Sequence, residues 1–428
     1  LGDVYKRQNL GYAFVDIRPD IERDREARTI DLTFEIQEAP RVFVERIDIG
    51  GNVRTLDEVI RREFRLVEGD AFNAAKLNRS RERIRNLGFF SRVEIETEQG
   101  SQPDKTVIKV DVAEQSTGEL GLGAGYSTTD GALFNIVLRE RNLLGKGQDI
   151  RATITVSQRT QEFDIGFTEP YFLERNLRAG FDLFHITQDN TTQSSFNSTR
   201  TGGGLRLGYE INEQWSQTLR YVLRQDVVED IDADASLAIQ EQEGTNITSL
   251  VGQDLLYDLR DSRIDPTSGF FWRVSTDYAG LGGDLEYVRG RMTTGFYVPF
   301  TDDVIGSVIV SGGIIYGFGE GVRITDRFFL GGDNLRGFAT SGVGPRDIGT
   351  GDALGGKKMY NGIVAVRFPI GLPEEFGVTG SLFSDFGTLT DIDQTTGLDI
   401  RDEPSIRISW GTGLNLSLIH ISEPTRLR

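Results

Sequence analysis

The stretch "GLRLGYEI", residues 204–211, places Leu205, Leu207, Tyr209 and Ile211 on one side of an extended chain and Arg206, Gly208 and Glu210 on the other. Side chains alternate across a strand with a period of two, so the pattern suits a strand and not a helix. "NLRAGFDLF" (176–184) repeats it, with Leu177, Ala179, Phe181 and Leu183 against Arg178, Gly180 and Asp182. "SIRISWGTGLNL" (405–416) sets Ile406, Ile408, Trp410, Thr412 and Leu414 against Arg407, Ser409 and small or polar positions. In "ELGLGAGYS" (119–127), Leu120, Leu122, Ala124 and Tyr126 share one face with only Gly121, Gly123 and Gly125 between them. These runs are about 9 to 13 residues long, whereas strands of soluble sheets are commonly five or six. A tilted strand needs the greater length to cross a bilayer.

The connections agree. Counted from Glu119, short turns such as "NLLGKGQ", "TEPYFLERN", "NEQ" and "TDD" follow even-numbered strands. Longer polar connections (185–198, 225–245, 317–357 and 389–404) follow odd-numbered ones. Short turns at one rim and long loops at the other mark an outer-membrane barrel. The count reaches 14 strands by Leu416.

Composition narrows the functions open to such a chain. No window approaches 18 uninterrupted apolar residues, so a transmembrane helix is not expected, while a mean hydropathy of -0.30 suits strands that are polar on one face. A net charge of -18 argues against nucleic acid as a partner, since duplex binding needs clustered Lys and Arg. There are no cysteines, which excludes disulfides, thiolate metal sites and cysteine nucleophiles. The two histidines, His185 and His420, are too few for a His-rich metal site or a Ser-His-Asp triad. His185 reads as an ordinary polar residue near a strand end. The glycines of "GLGAGY" fall on alternating strand positions, which is barrel wall and not a nucleotide loop. No enzyme activity, cofactor or metal is expected.

The first 115 residues follow another pattern. "RVFVERIDIGGN" is a strand running into a turn, and "RTLDEVIRREFR" has Leu56, Val59, Ile60 and Phe64 at helical spacing with Thr55 as the expected N-cap. "AAKLNRSRERIRNLGFF" is a second helix with Leu77, Ile84 and Leu87 on one face, stopped by Gly88. The strands "SRVEIETE" and "KTVIKVDVAEQ" complete a strand-helix-helix-strand-strand unit. Its second half is repeated upstream, where "GYAFVDIRPDI…TIDLTFEIQEA" parallels "GFFSRVEIETE…TVIKVDVAEQ". The charged run "RPDIERDRE" is placed at the turn between the paired strands.

Together with "RNLLGKGQ", "FTEPYF", "DYAGLGGDLEYVR" and above all "GGDNLRGF", this order resembles the outer-membrane assembly and translocation proteins of the POTRA-plus-barrel superfamily. The resemblance implies an α+β POTRA domain followed by an all-β transmembrane antiparallel barrel, 16-stranded in the family. The expected domains are the C-terminal part of one POTRA domain (9–40), a complete one (41–115), and a barrel lacking its last two strands (116–416). Residues 1–8 and 417–428 continue neither pattern and resemble translated sequencing adaptor.

In the family, the loop bearing this motif folds into the barrel and its Arg meets acidic groups on the wall. In "SLFSDFGTL" the alternation puts Asp385 on the polar, lumen-facing side, so Arg336 is expected to pair with Asp385. Gly337 would allow close backbone approach and Phe338 would pack on the wall. The resemblance implies a second acidic residue, common in relatives, on the preceding strand, where this chain has Ala365. The resemblance further implies a loosely zipped seam at the first barrel strand (Leu120, Gly121, Leu122, Gly123 and Gly125). It also implies client binding at the POTRA edge (Arg92, Val93, Glu94 and Ile95). The partners it implies are unfolded outer-membrane β-barrel clients, accessory assembly lipoproteins and outer-membrane lipid. A related translocator, exporting a passenger protein or assembling autotransporters, is the alternative.

Overall fold

The structure, a computed structural model, describes residues 17–24, 29–36, 41–127, 130–319, 321–372, 377–393 and 398–416. The adaptor-like segments 1–8 and 417–428 lie outside them. Two compact units are present, Leu1–Glu119 with Leu138–Ile150, and Leu120–Val137 with Arg151–Arg428.

In the first unit, β1 (Ile17–Asp24) pairs antiparallel with β2 (Thr29–Ile36), in register from Ile17 opposite Ile36 to Asp24 opposite Thr29. The charged run "RPDIERD" is therefore strand and not turn. Backbone pairing depends on N–H and C=O groups and not on side-chain polarity. Next come β3 (Phe43–Gly50), α1 (Asp57–Arg61), α2 (Ala74–Asn86), β4 (Phe90–Gln99) and β5 (Lys105–Glu114). This is the expected order. The sheet runs β3-β5-β4, with β5 parallel to β3 and antiparallel to β4.

Thr55 does not cap α1. Leu56 holds that position without a side-chain hydrogen bond, and the Thr55 backbone N–H is donated to Glu114 Oε1 at 2.7 Å. The Thr55 hydroxyl, the group that would cap, instead accepts from Asn142 Nδ2 at 2.9 Å, and α1 spans only five residues. At α2 the local rule holds: Asn73 Oδ1 accepts the Lys76 N–H at 2.9 Å, and Gly88 follows the helix at φ 69°. Ile60, Leu66, Ile84 and Ile108 are fully buried between the helices and the sheet.

Among the described residues the larger sheet is an antiparallel meander of fourteen strands. It begins with β6 (Gly118–Ser127), β7 (Gly131–Leu143), β8 (Gln148–Ser157), β9 (Thr160–Glu169) and β10 (Leu177–Asp189). It continues with β11 (Asn197–Glu210), β12 (Trp215–Glu229), β13 (Gly244–Asp258), β14 (Gly269–Gly283), β15 (Tyr287–Pro299) and β16 (Ile305–Gly317). After the two-residue strand β17 (Arg346–Asp347) come β18 (Lys358–Pro369), β19 (Val378–Thr390), the short β20 (Ile400–Arg401) and β21 (Arg407–Leu416). β17 pairs with β20 apart from the main sheet.

The strand count matches the sequence reading, but several strands run further into the polar connections. β10 reaches Asp189 and β12 reaches Glu229, so His185 lies within a strand, its Nδ1 2.7 Å from Thr201 Oγ1. Ladder hydrogen bonds continue beyond the apolar band because they depend on backbone and not on side-chain polarity. No helix among the described residues is long and apolar enough to cross a membrane. The alternating strands instead expose Leu183, Leu205, Leu223 and Phe296 on one face. On that face, at the short-turn end, Trp215 stands 4.8 Å from Tyr257 and 5.0 Å from Trp272 between ring centroids. Aromatic rings flanking an apolar band are what a bilayer interface selects.

Replacing Ile108 with Ala should destabilise the 41–115 domain by about 2–5 kcal/mol, because it removes a buried side chain from the central strand. Urea unfolding of the excised domain measures this, and a loss below 1 kcal/mol would contradict the packing. Burial works against charge at Glu114, but hydrogen bonds from the backbone of Thr55 and Arg54 outweigh it and hold the carboxyl below its ordinary value of 4.5. That stabilisation is present above this pH and lost as the pH falls beneath it. Glu114→Gln should therefore flatten the acid limb of the same domain's stability profile.

Candidate functional site

Residues 318–357 connect β16 to β18 and lie against the inner faces of strands distant in the sheet. Phe328, Leu330, Leu335 and Val343 of this loop are buried with Leu250 of β13, Ala279 of β14, Ile315 of β16 and Leu389 of β19. The sheet can touch one loop from so many strands only by curling around it, so the loop occupies the lumen. Two short-range devices shape it. Asn334 Oδ1 accepts the Gly331 N–H at 2.7 Å and its Nδ2 donates to Phe329 O at 3.0 Å, while Gly332 N donates to Phe338 O at 2.9 Å.

At the turn tip, Arg336 meets Asp385. Nε donates to Oδ2 at 2.7 Å and Nη2 to Oδ1 at 2.6 Å, a fork onto both carboxylate oxygens. The Arg336 backbone N–H adds a third bond to Oδ2 at 3.1 Å. Asp385 is 1 % exposed, while the Arg336 side chain is 41 % exposed. The guanidinium also lies 3.3 Å from the centroid of the Phe383 ring. Phe383 and Asp385 are two residues apart on β19 and share its inner face. Ala365 stands opposite Phe383 in the strand register.

The neighbours of Arg336 explain the rest of the motif. Ser409 of β21, opposite Asp385, donates its hydroxyl to the Arg336 carbonyl. Gly337 has φ 86°, and a Cβ there would come 3.0 Å from Ser409 Cβ. A side chain at 337 would thus meet both a disfavoured backbone and the wall. Phe338 is partly buried against the loop cluster. In the same loop, Arg327 Nε donates to Val322 O at 2.9 Å and its Nη1 to Leu354 O at 3.0 Å.

The other sequence-derived positions lie elsewhere. β6, carrying Leu120, Gly121, Leu122, Gly123 and Gly125, ends the sheet order, with β7 as its one neighbour among the described residues, and Leu120 and Leu122 are exposed. β4 is an edge strand in which Val93 and Ile95 are buried while Arg92 and Glu94 face solvent. A second set of lumen residues went unread: Arg200, Arg224, Asp226 and Tyr287 on the wall, and Asp326 in the loop. Asp226 lies two residues beyond Arg224 on β12 and shares its face, a signal obscured because 225–245 reads as loop. A lone Asp at 326 carries no such signal.

An antiparallel barrel with a loop pinned inside it, in a chain that also holds a β-α-α-β-β domain, defines a class. The family model described as Omp85 superfamily domain matches residues 142–418, and that described as surface antigen variable number repeat, a POTRA domain, matches residues 42–115. The chain belongs to the Omp85 superfamily. It is similar to the outer membrane protein assembly factor BamA of Neorickettsia risticii, 33% identical over 406 residues that cover 94% of this chain and 54% of that protein. BamA of Nitratidesulfovibrio vulgaris is 32% identical over 363 residues, covering 84% and 45%. The chain thus spans about half the length of the curated relatives it matches. The crystal structure of BamA from Haemophilus ducreyi lacking POTRA domains 1–3 shares the fold, with a TM-score of 0.81 at 20% identity over 96% of this chain and 86% of that one. The barrel belongs in a bacterial outer membrane and the POTRA domains in the periplasm.

Arg336→Lys keeps the charge but loses the planar fork. It should lower the midpoint of heat-induced barrel unfolding, read as the loss of the fast-migrating folded band on cold gels. The expected deficit is about 1.5–3 kcal/mol, the worth of one charge-assisted bond. An unchanged midpoint would mean the fork does not hold the loop.

Proposed function

We propose that the chain is part of the core subunit of the outer-membrane β-barrel assembly machinery, which folds and inserts client barrel proteins. The observation that carries this reading is the anchored loop in the lumen of an Omp85 barrel. A filled lumen leaves strand edges as the places where a client can engage. The client's difficulty is physical: unpaired backbone N–H and C=O groups cost several kcal/mol each in hydrocarbon. An existing edge supplies partners strand by strand as the client enters.

Two edges fit the task. β4, with Arg92, Val93, Glu94 and Ile95, would receive an extended client segment by β-augmentation in the periplasm. β6, with Leu120 and Leu122 among Gly121, Gly123 and Gly125, would form the lateral seam, where glycines weaken side-chain grip and ease parting. The role is non-enzymatic, since it needs templated hydrogen bonding and no covalent step. Its partners would be unfolded barrel clients, accessory lipoproteins and outer-membrane lipid.

The Arg336–Asp385 pair would keep the loop seated while the seam works. In the complete protein in liposomes, Arg336→Ala and Asp385→Ala should each slow the appearance of folded client several-fold. The double variant should be little worse than either, because both remove the same contact. Folded client is read by its heat-modifiable migration. Equal client folding with and without the protein would refute the assembly role, and additive losses would refute the pairing.

A further inference from the structure

The lumen loop meets the wall at a second charged site, ten residues before Arg336. Asp326 is 2 % exposed, and its Oδ1 accepts from Arg224 Nη2 and, at 2.9 Å, from the Tyr287 hydroxyl. Arg224 Nε donates to Asp226 Oδ2 at 2.7 Å, and Arg200 Nε donates to Asp226 Oδ1 at 2.7 Å. Arg200 Nη2 also reaches the carbonyl of Thr325, beside Asp326, at 2.9 Å. Thr248 Oγ1 completes the set with a 3.3 Å bond to Asp226. These wall residues come from β11, β12, β13 and β15 and converge on one turn of the loop.

The polarity is opposite to that of the other anchor. At 336 the loop carries the guanidinium and the wall the carboxylate, whereas at 326 the loop carries the carboxylate and the wall the guanidinium. A loop docked in the reverse direction would set Asp326 against Asp385 and Arg336 against Arg224, two like-charge contacts in a confined space. The 326 cluster is balanced by itself, with Arg200 and Arg224 against Asp226 and Asp326. Loss of Asp326 would leave Arg224 buried with a carboxylate it must share with Arg200.

We propose that Asp326 is a positioning residue, a second anchor of reversed polarity that fixes the direction and register in which the loop enters the lumen. The inference stands apart from client assembly, because loop seating is measurable whatever the barrel assembles. Val343, 6 % exposed and bonded through its N–H to Leu330 O at 3.0 Å, reports that seating.

The test places Val343→Cys as the single cysteine of the complete protein in detergent micelles and follows its reaction with a water-soluble maleimide. Heat-modifiable migration checks that each variant's barrel is folded. Asp326→Asn should speed labelling at least tenfold, and Asp326→Glu should stay within about threefold of the parent. The exchange of Asp326→Arg with Arg224→Asp keeps two positive and two negative charges in the cluster, so it should restore protection that either single change removes. Labelling of Asp326→Asn at the parental rate would overturn the proposal, as would an exchange no better protected than its single variants. If Asp326→Asn does not fold, the exchange decides: a folded, protected barrel supports the anchor and an unfolded one rejects it.

Discussion

In hydrocarbon, every backbone N–H and C=O must find its partner inside the protein, because no water is there to supply one. Among the described residues this chain answers that demand with fourteen antiparallel strands, each hydrogen-bonded to its neighbours in the order from β6 to β21, and the two end strands have one neighbour each. The choice has a consequence. Each strand has two faces, one against lipid and one against the lumen, and the second must be made comfortable without a packed hydrophobic core.

The lumen answers with paired charges and a filling loop. Arg220 of β12 reaches Asp254 and Asp277, and Arg289 of β15 bonds Asp277 at 2.9 Å, so the wall neutralises itself across neighbouring strands. The loop then adds what a wall cannot, an apolar cluster of Phe328, Leu330 and Leu335 enclosed by the inner face. Its direction is set by charge at two points, Asp326 and Arg336, while the apolar side chains between and beyond them supply the nonspecific contact. Nonpolar packing tolerates sliding, whereas a forked ion pair does not.

Much of this was legible in the chain. Alternation in "GLRLGYEI" and its counterparts revealed strands, their length a bilayer, and the rhythm of short and long connections a barrel. Asp385 could be placed inward by counting from Leu382, because parity along a strand is a local property. The same counting failed where composition misled. Thr55 looks like a helix cap, but its hydroxyl accepts from Asn142, 87 residues away in sequence. "RPDIERD" looks like a turn, but pairing with Thr29–Ile36 makes it a strand.

By itself, then, the sequence determined the period, the span of the strands and the face each side chain presents, since these depend on neighbours one to four residues away. The tertiary structure alone decided what meets what inside the barrel. Arg336 finds Asp385 49 residues on, and Asp326 finds Arg224 102 residues back. Such pairs exist only once the sheet has curled around its own loop, and no local periodicity encodes the distance across a lumen.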